Sequence, residues 1–227
     1  LGNLKILQES LIDIFPILDE YYQKNKNLKI ARLNYEIFKD NISVLVNDMI
    51  SGANRTKKIV GDLRNFARKD EGGLMDIVDL NDLIKNHLDI TTKQIKKHAH
   101  LEVELDENIP KFQGNTNKIE QVLLNLIMNA VDSIEHEKGL VKIKTELSQQ
   151  KDEIYLMVSD NGCGISDTMI KNIFDPFFTT KRQTGGIGLG LSITYGIIKD
   201  HKGTIEVKSK VGEGTTFIIR IPTKNEN

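Results

Sequence analysis

Cysteine is almost absent from this chain. One thiol, Cys163, in 227 residues excludes an internal disulfide framework and fits a reducing compartment. An excess of either charge is missing too. The 31 Lys and Arg against 32 Asp and Glu leave a formal net charge of −1, which gives no ground for expecting nucleic acid or a membrane surface as partner. No apolar run approaches the roughly 18 residues that a transmembrane helix needs, and no signal peptide opens the sequence. This segment is therefore expected in the cytoplasm without membrane contact, any membrane segment lying outside this sequence. Repeats of fixed period and low-complexity tracts are also lacking. What is present, 39% hydrophobic and 28% charged residues, suits a globular protein rather than a disordered one.

The chain divides into two unlike parts. As far as Arg68 glycine is rare, and Leu4, Leu7, Leu11, Ile14, Leu18 and Tyr21 alternate steps of three and four, the spacing of a coiled-coil seam. Past the polar "QKNKN" a second stripe follows through Ile42, Leu45, Met49, Thr56, Leu63 and Phe66, widened by Ile59 and Val60. Pro16 falls inside the first run and is expected to kink that helix. A hairpin of two such helices cannot bury both stripes alone. Pairing with a second copy gives a four-helix bundle, hence an expected homodimer; packing on the chain's own C-terminal half is the alternative.

Charge and paired glycines in "DEGGLMD" then read as a linker. The expected organisation is a helical hairpin over 1–70, a linker over 71–76 and a second domain over 77–224. In that second domain helical and strand signals mix. Helices are expected over Asn81–Ile95, capped near Asp79 or Asn81, over Asn117–Ile134, and after Gly190. Strands are expected at "HLEVELD", "LVKIKTEL", "EIYLMVSD", "TIEVKSK" and "TTFIIRIP". Strands covered on one face by helices make the fold class α+β: an α/β sandwich with a mixed sheet behind an N-terminal helical hairpin.

Five stretches carry possible chemistry. On the helix Asn117–Ile134, Gln121, Asn125, Asn129 and Asp132 recur at three- and four-residue steps beside a wide apolar face. Asparagine competes for backbone hydrogen bonds and is a poor mid-helix residue, so two of them one turn apart are either functional or simply solvated. In "SDNGCGIS", Asp160 ends an apolar strand before Gly162 and Gly164; it suits an exocyclic amine, or the stretch is an ordinary turn with Ser166 as helix cap. Cys163 between those glycines reads as a packing residue. "IFDPFFTTKR" is either a mobile flap, with Lys181 or Arg182 for phosphate oxygens, or a plain hydrophobic anchor. "GGIGLGLSI", Gly185 to Ile193, precedes a helix and can offer backbone amides to an anion, although it lacks the ending of a P-loop. "GEGTTF" alone is a hairpin turn.

In this order the five stretches resemble the asparagine, phenylalanine and glycine boxes of sensor histidine kinases. Those kinases belong to the ATP-binding superfamily that also holds DNA gyrase, the mismatch-repair ATPase and the heat-shock chaperone. "GANRTKKIVGDLRNFAR" resembles the end of the second helix of a dimerisation and phosphotransfer domain, and "FDPFFTTK" the bacterial two-component type. The resemblance implies ATP and Mg²⁺ as cofactors, with Asn129 on the metal and Asn125 on the phosphates or the metal shell. It implies Asp160 on the adenine amino group with Thr215 in support, and Gly162 and Gly164 shaping the adenine pocket. Gly186, Gly188, Leu189 and Gly190 would form a lid over the phosphates, and Lys181 a phosphate partner; Asn125 and Lys181 would carry the catalytic roles.

The implied activity is autophosphorylation on histidine followed by transfer to a response-regulator aspartate, from a homodimer joined through the N-terminal helices. Asn125 stands where hydrolases of the superfamily carry a glutamate to activate water, which favours transfer over hydrolysis. Two departures go with this. No histidine precedes His87, so the acceptor is expected just upstream of Leu1, and His87, His98, His100, His136 and His201 are expected at surface or packing positions. Asp132 stands where many relatives put a cation, which leaves Lys181 or Arg182 to supply charge. The rival readings are an ATP-binding regulatory module without an acceptor and a gyrase- or chaperone-type ATPase.

Overall fold

Two helical stripes separated by a polar break make up most of the first of two compact units, Leu1–Asn65 and Phe66–Asn227. The computed structural model describes residues 2–67, 76–95, 99–180 and 186–223. Helix α1 (Gly2–Lys24) continues through Pro16, and α2 spans Tyr35–Ala67. They run antiparallel: Gln8 Nε2 donates to Asn47 Oδ1 at 2.9 Å, and Lys39 meets Asp19 nearer the turn. Between them "QKNKN" leads into an unexpected two-stranded hairpin, β1 (Lys29–Ile30) with β2 (Leu33–Asn34). Its loop residues Ala31 and Arg32 have φ of 49° and 67°. A two-residue hairpin of the mirror-image turn type needs positive φ at both positions, which glycine or asparagine ordinarily supplies.

Tyr35 seats this turn. It is 1% exposed, its hydroxyl donates to Asp19 Oδ1 at 2.7 Å, and its ring lies 5.1 Å from that of Tyr22. Lys39 Nζ donates to both Asp19 oxygens at 2.8 and 2.7 Å. That contact, with the Tyr35 hydroxyl, holds the Asp19 carboxyl below the usual range, while burial pushes the Tyr35 phenol up to about 12. Elsewhere in the hairpin little is covered. α1 has no fully buried residue, and Leu7, Ile14 and Tyr21 of the expected seam stay exposed together with Ile6, Ile12 and Ile17.

The first strand of the second unit is β3 (Asp76–Val78), so Asp76, expected to end the linker, is strand; residues 71–75 lie outside the described residues. Helix α3 (Leu80–Ile95) follows, with Asp79 Oδ1 accepting from Asp82 N at 3.0 Å as its cap. Next come β4 (His100–Leu105), β5 (Phe112–Gly114) and α4 (Thr116–Asp132). β5 pairs antiparallel with β3 in a small sheet that the sequence pattern did not signal. β6 (Leu140–Leu147), β7 (Glu153–Asp160), the short α5 (Asp167–Ile170), α6 (Gly190–Asp200), β8 (Thr204–Lys210) and β9 (Gly214–Pro222) complete the unit.

The main sheet has the order β4-β6-β7-β9-β8. β4 and β6 are parallel and every other pair is antiparallel, so the sheet is mixed. A parallel pair needs a crossover, and here the crossover carries α4. Strict alternation places Val141, Ile143 and Thr145 of β6, Ile154, Leu156 and Val158 of β7, and Phe217, Ile219 and Ile221 of β9 on the buried face. There the apolar ones meet Ile84 of α3, Ile119, Val122, Leu123, Leu126, Ile127, Ala130 and Val131 of α4, and Ile197 and Ile198 of α6 in one core cluster. The opposite face stays partly exposed. The result is a two-layer α/β sandwich. Among the described residues no helix is long and apolar enough to cross a membrane.

Candidate functional site

The strip of asparagines on α4 is set by how that helix begins and ends. Asn115 caps it, its side chain accepting from Lys118 N at 3.0 Å, while Asp76 Oδ2 accepts from Thr116 N at 2.9 Å. That second bond keeps the Asp76 carboxyl below its usual range. The expected end at Ile134 is too far: the helix stops at Asp132 and Ser133 caps it in αR geometry, although Ile134 remains buried. With the apolar face fixed in the core, Gln121, Asn125 and Asn129 come to the half-buried shoulder and Asp132 to the surface.

The two asparagines differ. Asn125 Nδ2 donates to the Gly190 carbonyl at 3.2 Å and to Thr194 Oγ1 at 3.5 Å, tying α4 to the first turn of α6. Among the described residues the half-buried Asn129 amide makes no side-chain hydrogen bond. A polar group so placed usually has a partner, and a ligand would provide one.

Asp160, at the end of β7, is held from two sides. Its Oδ1 accepts from Gly162 N at 2.9 Å, an Asx turn of its own chain, and from Ser133 Oγ at 2.8 Å. The single hydroxyl proton of Ser133 is shared with the Ala130 carbonyl at 2.7 Å. Ser133 therefore joins the end of α4 to the expected base-recognising carboxylate. It was missed in the sequence because serine after a helix looks only like a cap. Gly162 has to be glycine: a Cβ there would stand 2.1 Å from Ser133 Oγ and 2.4 Å from its carbonyl oxygen.

Thr215 is the register partner of Asp160 in the β7–β9 ladder. It is 5% exposed, and its Oγ1 lies 2.9 Å from Ser209 Oγ, which accepts from Ile165 N at 2.8 Å. Gly164 packs beside the Lys210 carbonyl on the same rim. Ser166 makes no cap bond to α5; its hydroxyl lies 3.0 Å from Thr168 Oγ1. Cys163 departs from expectation: its thiol is exposed, not packed.

The glycine stretch and the phenylalanine flap turn out to share a base. Phe177 N donates to the Gly188 carbonyl at 2.9 Å, which clasps the two ends of the intervening segment. Gly188, at φ 76°, lies so close to Phe177 and Phe178 that a Cβ would come within 2.3 Å of the Phe178 carbonyl oxygen. Phe177 itself takes φ 67°, rare for an aromatic residue and of the kind found where a segment must be aimed. Behind it Leu189 is 1% exposed at the cap of α6, and Leu191 and Ile193 pack against the core. Gly186 and Gly190 flank this anchor, half-buried. Lys181, Arg182 and Gly185 lie outside the described residues.

α4, β7, β9 and the start of α6 thus bring together Asn125, Asn129, Asp160, Gly162, Gly164, Thr215, Gly188, Leu189 and Gly190. The histidines do not join them. His87 lies 3.2 Å from Glu120, His100 and His136 are exposed, His98 lies outside the described residues, and His201 is buried at the far end of α6. Among the described residues no cluster of three or more His, Cys, Asp and Glu is arranged to hold a metal.

Comparison with known proteins gives the same direction. Residues 114–225 match the family described as histidine kinase-, DNA gyrase B- and HSP90-like ATPase. The sensor histidine kinase ZraS of Escherichia coli (strain K12) is 32% identical over 179 residues, 78% of this chain and 37% of that protein. The chain spans about a third of the length of the curated relatives it matches. Among solved structures, the catalytic domain of histidine kinase ThkA is 33% identical with a TM-score of 0.57, covering 66% of this chain and 99% of that one. A structure of ThkA in complex with the response regulator protein TrrA covers 98% of this chain and 60% of that one, with a TM-score of 0.63; at 24% identity the likeness is one of fold.

Proposed function

Because this chain belongs to the histidine kinase-, DNA gyrase B- and HSP90-like ATPases, as a histidine kinase core, we propose that it binds Mg²⁺-ATP and passes the γ-phosphoryl to a histidine. In the transfer the bond between the γ-phosphorus and the β–γ bridging oxygen breaks, a phosphorus–nitrogen bond forms on the acceptor imidazole, and ADP leaves. A receiver-domain aspartate of a response regulator would then take the phosphoryl group. The acceptor histidine is proposed to precede Leu1, and the helical hairpin to pair with a second copy.

The observation that carries this reading is the pairing of two prepared groups: the Asn129 amide, without a side-chain partner among the described residues, and the Asp160 carboxylate fixed by Ser133 and Gly162. A neutral amide is a suitable ligand for Mg²⁺ when a triphosphate brings the negative oxygens, and the ion keeps several waters. Bound there, Mg²⁺ would neutralise charge developing on the phosphates. Asp160 would accept from the exocyclic amine of adenine, with Thr215 beside it, while Gly162 and Gly164 leave room for the ring. Amides of Gly186, Gly188 and Gly190 at the start of α6, with Lys181, would face the phosphates. Phosphoryl transfer needs mainly positioning and charge neutralisation, which this inventory provides. Asn125 cannot take a proton from water, which weighs against a hydrolase.

Incubating the full-length protein with ATP labelled at the γ-phosphate tests the reading. Label on the protein that is lost in acid and kept in base is the expected result. Nucleotide binding with no such label would overturn the kinase reading in favour of a regulatory ATP-binding module.

A further inference from the structure

The far end of α6 holds a group that this reaction leaves unused. His201 follows the last residue of the helix and is 1% exposed. Its Nε2 lies 3.0 Å from the backbone nitrogen of Asn115, and its Nδ1 lies 2.7 Å from the Ile197 carbonyl. A backbone amide only donates, so Nε2 is the bare nitrogen and the ring proton sits on Nδ1, donating to Ile197. Asn115 is the cap of α4, so one imidazole bridges the N-terminus of α4 and the C-terminus of α6. The fit is close: a Cβ at Gly114 would stand 3.0 Å from His201 Cδ2 and 3.1 Å from Nε2.

α4 and α6 lie antiparallel and are tied at both ends. At one end are His201 with Asn115 and Lys118 Nζ with Asp200 Oδ2 at 3.4 Å; at the other Asn125 meets Gly190 and Thr194. The ties match in length. Asn115 to Asn125 spans about 15 Å of helix, and Gly190 to His201 about 16 Å. A slip at the histidine end would shift Gly190 against Asn125.

Resting on the nucleotide reading above, we propose that His201 is a positioning residue for ATP binding. Its imidazole, accepting from Asn115 and donating to Ile197, holds α6 in register with α4 and so holds the lid anchor against the asparagine strip. Proton uptake converts Nε2 into a donor facing another donor and opens the tie. Burial already disfavours that proton and puts the His201 pKa below its ordinary value. Of the surrounding charges, Asp200 opposes this shift and Lys118 adds to it, and the two pair with each other. Asp76 on β3 is occupied with Thr116 N, and Gly114 of β5 lies against the ring.

Titration of Mg²⁺-ATP into the chain across roughly pH 5.5 to 7.5, for wild type and His201→Gln, separates the possibilities. Glutamine offers an uncharged acceptor that does not titrate. Protonation of the nucleotide itself is common to both proteins and cancels in the ratio of their affinities. That ratio, wild type over variant, is expected to fall at least threefold on acidification; a constant ratio would overturn the proposal. Should His201→Gln fail to fold, Gly114→Ala crowds the ring from the other side. It is expected to weaken Mg²⁺-ATP binding severalfold at pH 7.5 with its circular dichroism unchanged, and unaltered affinity would equally overturn the role. If wild type bound no nucleotide at any pH, the reading of the site would fall and the His201 role with it. Normal wild-type binding with a constant ratio removes the His201 role alone.

Discussion

Asn125 and Asn129 sit one turn apart on α4 and have different surroundings. Asn125 is engaged with Gly190 and Thr194, whereas Asn129 has no side-chain partner among the described residues. Asn129→Ala is therefore expected to abolish Mg²⁺-dependent ATP binding while leaving the melting temperature close to wild type; retained binding would remove the metal role. Ser133→Ala takes a hydroxyl from Asp160 and from the helix end at once. A hydrogen bond to a charged group contributes about 1.5–3 kcal/mol, so ATP affinity should drop at least tenfold, measured against a smaller change for a nucleotide lacking the adenine amine. Equal losses for both nucleotides would show that Ser133 supports the fold and not base recognition. At His201 the sign follows from burial. The folded form holds its proton more weakly than the unfolded chain, so its contribution is complete above about pH 6.5 and is lost as pH falls through the lower folded value. Melting temperature should drop more on acidification in wild type than in His201→Gln.

Helices and strands differ in how openly they announce themselves. α4 was legible because Ile119, Val122, Leu123, Leu126, Ile127, Ala130 and Val131 repeat at helical spacing and all are buried. Leu126→Ala should accordingly cost about 2–5 kcal/mol in unfolding experiments. β6, β7 and β8 were legible through alternation to their terminal residues. β3 and β5 were not. Three residues cannot display a period, and their pairing is fixed by partners far apart in sequence. The hairpin of β1 and β2 escaped for another reason: Ala31 and Arg32 adopt positive φ without being residues that favour it. Tertiary contacts at Tyr35 over-determine that turn, and Tyr35→Phe tests them. Loss of the hydroxyl bonded to Asp19 should lower stability by about 1–2 kcal/mol, with Asp19→Asn also destabilising and the double variant less than the sum. Strict additivity in that cycle would mean that the two groups act separately.

For the whole molecule the site reading depended on order, not on single residues. An asparagine pair, an Asp before two glycines, a flap and a glycine loop are each ambiguous. The sheet makes them neighbours by putting Asp160 opposite Thr215 and by carrying α4 in the crossover between β4 and β6. What sequence order could not supply were contacts made by ordinary residues, Ser133 on Asp160 and His201 on Asn115, because neither carries a distinctive local pattern. The hairpin presents Ile6, Ile12, Ile14, Ile17 and Tyr21 of α1 exposed, more apolar surface than a lone helical pair commonly leaves. Sedimentation at micromolar concentration should find a dimer, and Ile12→Glu with Ile17→Glu should yield monomers; a monomeric wild type would contradict the four-helix bundle. The measurement closest to the central claim is a calorimetric titration of ATP into the chain with and without Mg²⁺, repeated for Asn129→Ala and Asp160→Asn. The account predicts saturable binding that needs Mg²⁺, is lost in the first variant and is at least tenfold weaker in the second, with both variants folded. Binding of equal strength in all three proteins, or none in wild type, would contradict it.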